Sequence, residues 1–139
     1  MTPDEAAAET DAVDERELPD PTALAVAAAR AADDKKGTDT VVLRLGRVLG
    51  IAEYFVITTG ANDRQVKAIA DEIEVRVAGA GGVRPLNTEG LDTRQWVLLD
   101  YGDLVAHVFR GDVREFYSLD RLWADMERIE WAVPVEGSA

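Results

Sequence analysis

Two apolar runs, Trp96–Leu99 and Leu104–Phe109, bracket the tetrad Asp100-Tyr101-Gly102-Asp103. Short runs rich in Val, Leu and Phe around a glycine-bearing loop read as a β-hairpin, with Gly102 supplying the positive φ of a tight turn. Taking Tyr101-Gly102 as the loop sets Leu99 opposite Leu104, Leu98 opposite Val105, Val97 opposite Ala106 and Trp96 opposite His107. Side chains alternate along a strand, so Trp96, Leu98, Val105 and His107 share one face, and Val97, Leu99, Leu104 and Ala106 share the other. The same register sets Asp100 against Asp103, an unfavourable pairing that calls for a turn amide or a cationic partner.

Elsewhere the periodicity is helical or strand-like by turns. Asp20-Pro21 reads as an N-cap with proline at the first helical position, and Lys35-Lys36-Gly37 as cations before a C′ glycine. The alanine-rich interior of this first helix is expected to bury little and to pack loosely. A strand is predicted over 40–45, a connection over 46–50, and a second strand over 54–59. The second is apolar on successive residues, as a central strand covered on both faces would be. Asn62 and Gln65 have capping-box spacing, and Val66, Ile69, Ala70, Ile73 and Val77 define a helix over 63–78 that ends at the following glycines. Val83–Leu86 reads as a short strand that Pro85 confines to an edge. After the hairpin come a helical segment near 113–118 and a closing segment to Met126. The order predicts an α/β (α+β) domain over 21–126, built on a single mixed five-stranded sheet flanked by helices. Residues 1–20 read as a disordered acidic extension and 127–139 as a C-terminal tail.

Composition narrows the classes of function. The chain has 139 residues, 47% of them hydrophobic, which allows one domain with a real core. With no cysteine, neither disulfides nor thiolate metal sites are available, which fits a reducing, cytoplasmic setting. No run approaches the roughly 20 apolar residues that span a bilayer. The net charge is −12, and residues 1–20 alone carry eight acids against Arg16. A domain without a basic stripe cannot neutralise phosphates, so little direct nucleic-acid binding is expected and a basic protein surface is the better partner.

Candidate chemistry is sparse. Gly79-Ala80-Gly81-Gly82 follows a helix instead of introducing one and lacks the lysine of a phosphate loop, so it reads as a helix terminus. His107 with an acid and Ser118 has no nucleophile elbow around it, and a strand histidine is more often packed or hydrogen-bonded. One histidine and scattered acids do not form a metal site. Asp100 and Asp103 as general acid and base compete with the ordinary use of turn aspartates, which is to cap amides. Trp96 stands open between core filler and binding anchor.

A resemblance sharpens this reading. The words YFVI (54–57), NDRQVKAIAD (62–71), RPL (84–86), EG (89–90), WVLLDYGD (96–103), HVF (107–109), REFY (114–117) and LDRLW (119–123) together resemble the ribosomal silencing factor family, RsfS or Iojap, from about residue 21 to 124. The resemblance implies a nucleotidyltransferase-like fold without its catalytic acids. Thr59-Gly60-Ala61 stands where that fold's Gly-Ser step belongs, and no predicted strand carries an acid-x-acid pair. It further implies a factor that is not an enzyme and uses no cofactor. Such a factor binds large-subunit ribosomal protein fourteen, blocks small-subunit joining and represses translation when nutrients are scarce. The alternatives kept open are a nucleotidyltransferase-related enzyme, a ribosome-assembly adaptor and a homodimer off the ribosome. The family's patch corresponds here to Trp96, Asp100, Tyr101, Gly102, Asp103 and His107, with Arg114, Tyr117, Leu122 and Trp123. Trp96 is the expected apolar anchor, Asp100 and Asp103 acceptors for basic side chains, Tyr101 a rim contact, and His107 a residue that orients the face.

Overall fold

A computed structural model describes residues 20–46, 52–117, 121 and 124–132. In chain order the elements are α1 (Pro21–Asp34), β1 (Thr38–Arg44), β2 (Tyr54–Gly60), α2 (Asp63–Gly81), β3 (Asn87–Glu89), β4 (Trp96–Asp100), β5 (Leu104–Arg110), α3 (Gly111–Tyr117) and β6 (Glu127–Arg128). They form one mixed sheet in the order β3-β4-β5-β2-β1-β6, with β2 and β5 parallel at its centre and the other pairings antiparallel. All seven residues of β2 are buried, as its unbroken apolar run requires of a strand covered on both faces.

The helix boundaries follow local chemistry. Asp20 caps α1 by accepting from the Thr22 amide at 3.0 Å, and Asn62 caps α2 by accepting from the Gln65 amide at 2.9 Å. Gln65 closes the box on the Ala61 amide, and its Nε2 donates to the carbonyls of Lys35 and Lys36. One side chain thereby joins the start of α2 to the end of α1. That end takes its left-handed residue at Lys36 (φ 69°), not at Gly37. The alanine face of α1 packs closely, contrary to expectation: Ala25, Ala28, Ala29, Ala31 and Ala32 have no solvent exposure. Small side chains let α1 approach α2 and the sheet, so low area per residue is offset by complete burial.

Three sequence expectations are corrected. The sheet has six strands, not five. Its extra strand lies where a tail was expected: Arg44 pairs with Glu127 and Leu43 with Arg128, and the Ile129 amide donates to the Val42 carbonyl at 2.8 Å. Further along, the Trp131 Nε1 donates to the Thr40 carbonyl at 3.0 Å, and Arg30 Nε to the Trp131 carbonyl at 3.2 Å. The third strand, at the sheet's other edge, is Asn87–Glu89, not Val83–Leu86, because an edge strand is selected by pairing to its neighbour and needs no apolar run. Finally, the hairpin register differs by two. Trp96 pairs with Phe109, Val97 with Val108, Leu98 with His107, Leu99 with Ala106 and Asp100 with Val105. The loop is Gly102-Asp103, closed by the Tyr101 amide on the Leu104 carbonyl at 2.8 Å. This puts glycine, at φ 93°, in the first loop position, where a II′ hairpin turn takes it. A shift of two residues preserves the period of the strand, so the inferred faces survive although every partner changes.

One face of the sheet lies under α1 and α2, with Val56, Val97, Leu99, Leu104, Ala106 and Val108 in its core. The opposite face carries a second cluster, Leu43, Leu45, Ala52, Phe55, Ile57 and Phe109, against which Val113 of α3 and Met126 pack. The hairpin continues that second face outward towards β3.

Candidate functional site

Trp96, Leu98 and Asp100 of β4 project from the second face beside Phe109, His107 and Val105 of β5, their cross-strand partners. The Trp96 Nε1 donates to His107 Nδ1 at 3.1 Å. Because Nδ1 accepts, the neutral ring carries its proton on Nε2, a tautomer assigned from this bond. The indole sits 4.7 Å from the Phe109 ring, and His107 is stacked parallel to Phe109 at 6.0 Å and meets Phe55 edge-on at 4.5 Å. Burial among these rings pushes the His107 pKa down to about 4. Exposure separates the two partners: His107 is 5% exposed and Trp96 38%. The histidine is a hidden support, and the tryptophan is the surface it presents.

The turn aspartates no longer oppose one another. Asp100 faces Val105, and its Oδ1 accepts from the Gly102 amide at 2.8 Å, which satisfies the turn. Asp103 is exposed, and its carbonyl accepts from the amides of Glu53 and Tyr54, tying the loop to the start of β2. Neither carboxylate has an ion-pair partner among the described residues. Glu89 of β3 pairs with Leu98, which adds a second acid to the face that bears Asp100; its carboxylate accepts from Asn87 Nδ2 at 2.8 Å. The patch expected from sequence leaves out Glu89, Phe55 and Phe109, while Leu98 lies on the Trp96 face as its alternation predicts. Glu89 was hidden because the edge strand was placed four residues too early. The aromatic pair could have been found from the alternation of β5 and the apolar run of β2 once they were known to be neighbours.

The other residues of the expected patch are dispersed. Tyr101 belongs to the helix-covered face: it packs against the core beneath α1 and α2, and its hydroxyl is buried without a hydrogen-bond partner among the described residues. Burial, with a smaller contribution from Glu74 of α2, raises its pKa. The shifted loop explains this, since Tyr101 now pairs with Leu104 and points inward with it. Arg114 is 7% exposed, and its Nη1 donates to the Asp39 carbonyl at 2.7 Å and to Thr59 Oγ1 at 2.8 Å. It therefore ties α3 to the sheet from a buried position. Tyr117 closes α3, but its side chain lies outside the described structure, as do Leu122 and Trp123.

A separate open cleft of about 540 Å³ lies at the start of α2, lined by Ala61, Asn62, Asp63, Arg64 and Arg110. Arg110 is already engaged there, through Asp112 at 2.7 and 3.0 Å and Asp63 at 3.0 Å, and these carboxylates raise its pKa. Among the described residues no three acidic or histidine side chains are grouped to hold a metal ion, and no helix is long and apolar enough to cross a membrane.

Fold and face together define a small α+β domain with an aromatic and acidic strip on the outer end of its sheet. The chain belongs to the ribosomal silencing factor family: the family model described as "Ribosomal silencing factor during starvation" matches residues 18–138. It is 44% identical over 98 residues to the ribosomal silencing factor RsfS of Bacillus subtilis, covering 70% of this chain and 82% of that protein. It is 32% identical to the chloroplastic protein Iojap of Zea mays, covering 77% of this chain and 46% of that longer protein. Among solved structures, a protein of Chromobacterium violaceum superposes with a TM-score of 0.71 at 32% identity, covering 83% of this chain and 94% of the other.

Proposed function

We infer that this protein acts as a ribosomal silencing factor, binding the large subunit through the strip around Trp96 and so preventing the small subunit from joining. The reading makes large-subunit ribosomal protein fourteen the partner, with repression of translation under nutrient limitation as the outcome. What carries it is the composition of the strip: a tryptophan 38% exposed on a face that also bears Glu89 and Asp100, acids without ion-pair partners among the described residues. Exposed aromatics and desolvatable charges are the material of interface hot spots, and ribosomal proteins are basic. A net charge of −12 supports a protein contact over an RNA contact. The same reading makes the protein a cytoplasmic binding factor without a cofactor, related in fold to nucleotidyltransferases but not itself an enzyme.

Sedimentation with purified large subunits, with and without competing small subunits, tests it. Wild-type protein is expected to travel with large subunits and to lower the yield of joined ribosomes. Trp96→Ala and Asp100→Lys are expected to lose both effects. Equal binding by wild type and variants would remove the strip as the site. Dimers broken by Trp96→Ala, with subunit binding retained, would assign the strip to self-association.

A further inference from the structure

The orientation of Trp96 restricts what its partner can be. Its Nε1–H is directed inward to His107 Nδ1, and its ring rests on Phe109. The indole therefore offers its partner ring carbon and not a hydrogen-bond donor. A group that docks on it must be apolar or be drawn to the negative face of the ring. The neighbouring charge decides between these. Glu89 is paired with Leu98, two residues from Trp96 on the same face, so Glu89 and Trp96 are diagonal neighbours about 7–8 Å apart. The Glu89 carboxylate has no cation partner among the described residues, and its one hydrogen bond there comes from the neutral Asn87 amide. An apolar partner group would bury that carboxylate uncompensated, whereas a cation seated between ring and carboxylate satisfies both.

We propose that Trp96 and Glu89 form a receptor for one basic side chain, an arginine or lysine of the partner protein, laid on the indole and ion-paired to Glu89. His107 is then a positioning residue that turns the indole N–H away from the interface. Gly90 contributes to the same geometry: at φ 88° it follows Glu89 directly, and a Cβ there would run into the Trp96 carbonyl, so the two receptor residues are held by a backbone contact that only glycine permits. The proposal rests on the reading that the strip binds the ribosome and specifies the chemistry of the contact.

The test replaces Trp96 alone, by site-specific incorporation, with mono-, di- and tetrafluorotryptophan, which keep shape and apolarity while draining the ring's negative face. Glu89→Gln is prepared in parallel in the full chain. Affinity for purified large subunits is expected to fall stepwise with fluorination, reaching about tenfold. Glu89→Gln is expected to weaken binding about fivefold and to flatten its dependence on salt. The two changes combined should cost less than the product of their separate effects. Thermal melting of each variant controls for folding. Unchanged affinity across the fluorinated series, with loss only in Trp96→Leu, would overturn the cation receptor and leave an apolar anchor. Failure of the wild-type protein to bind large subunits would instead remove the underlying reading.

Discussion

His107 is held neutral by its surroundings: Phe55, Trp96 and Phe109 enclose it, and burial pushes its pKa down to about 4 from an ordinary 6.5. A base whose folded pKa is depressed binds its proton more readily when unfolded. Its contribution is therefore neutral above about pH 6.5, and it destabilises the fold progressively as pH falls from there to about 4. A shift of this size corresponds to roughly 3 kcal/mol at full expression. Protonation also places a second donor opposite the Trp96 N–H and breaks that hydrogen bond. Denaturant melts of wild type and His107→Asn between pH 7 and pH 4 should show the steeper loss in wild type; parallel curves would contradict this. Arg114 shows the opposite lesson about a patch residue. Its buried guanidinium is tied to the Thr59 hydroxyl and the Asp39 carbonyl, so Arg114→Met should cost about 2–3 kcal/mol by removing both bonds. Its effect on subunit binding, measured per folded molecule, should be small.

At the scale of elements, the C-terminal strand resolves a problem that sequence left unstated. Strand β1 carries a register irregularity between Thr38 and Val41, with Asp39 at φ 51°. Irregular backbone strands its carbonyls, and both are served by side chains from distant elements: Asp39 by Arg114 and Thr40 by Trp131. Residues 127–131 also cover an edge that would otherwise be open to another chain. Trp131→Ala should therefore destabilise by about 2 kcal/mol and speed exchange of the Ile129 amide, as hydrogen exchange would record. Capping is simpler to price. Asn62→Ala removes the acceptor for the Gln65 amide and should cost about 1 kcal/mol in a thermal melt.

For the whole molecule, the balance of charge and the placement of the strip set the expected behaviour. A protein of net charge −12 whose Glu89 and Asp100, near Trp96, have no ion-pair partner among the described residues should bind a basic surface more weakly as ionic strength rises. Large-subunit affinity measured across a salt series should fall accordingly, and a salt-independent affinity would mean that the acids stand outside the contact. The architecture was largely legible beforehand. Capping chemistry at Asp20 and Asn62, the helical period through Val77 and the unbroken apolar run of β2 specify their elements locally, because each is a matter of neighbouring residues along the chain. The alternation of β4 and β5 likewise put Trp96 and His107 on one face, and a register error of two could not disturb it. What the sequence could not contain was the pairing between segments. Strands β3 and β6 are polar and short, and only the neighbouring strands β4 and β1 make them strands at all. The one-residue movement of the loop turned Tyr101 inward and parted Asp100 from Asp103, and the packing of α3 buried Arg114. Glu89 came to lie beside Trp96 only through the β3–β4 register. Local propensity and period are written in consecutive residues; register, edge pairing and the company a side chain keeps are decided by contacts between segments far apart in the chain, where small differences in packing and hydrogen bonding choose among arrangements the sequence leaves equally open.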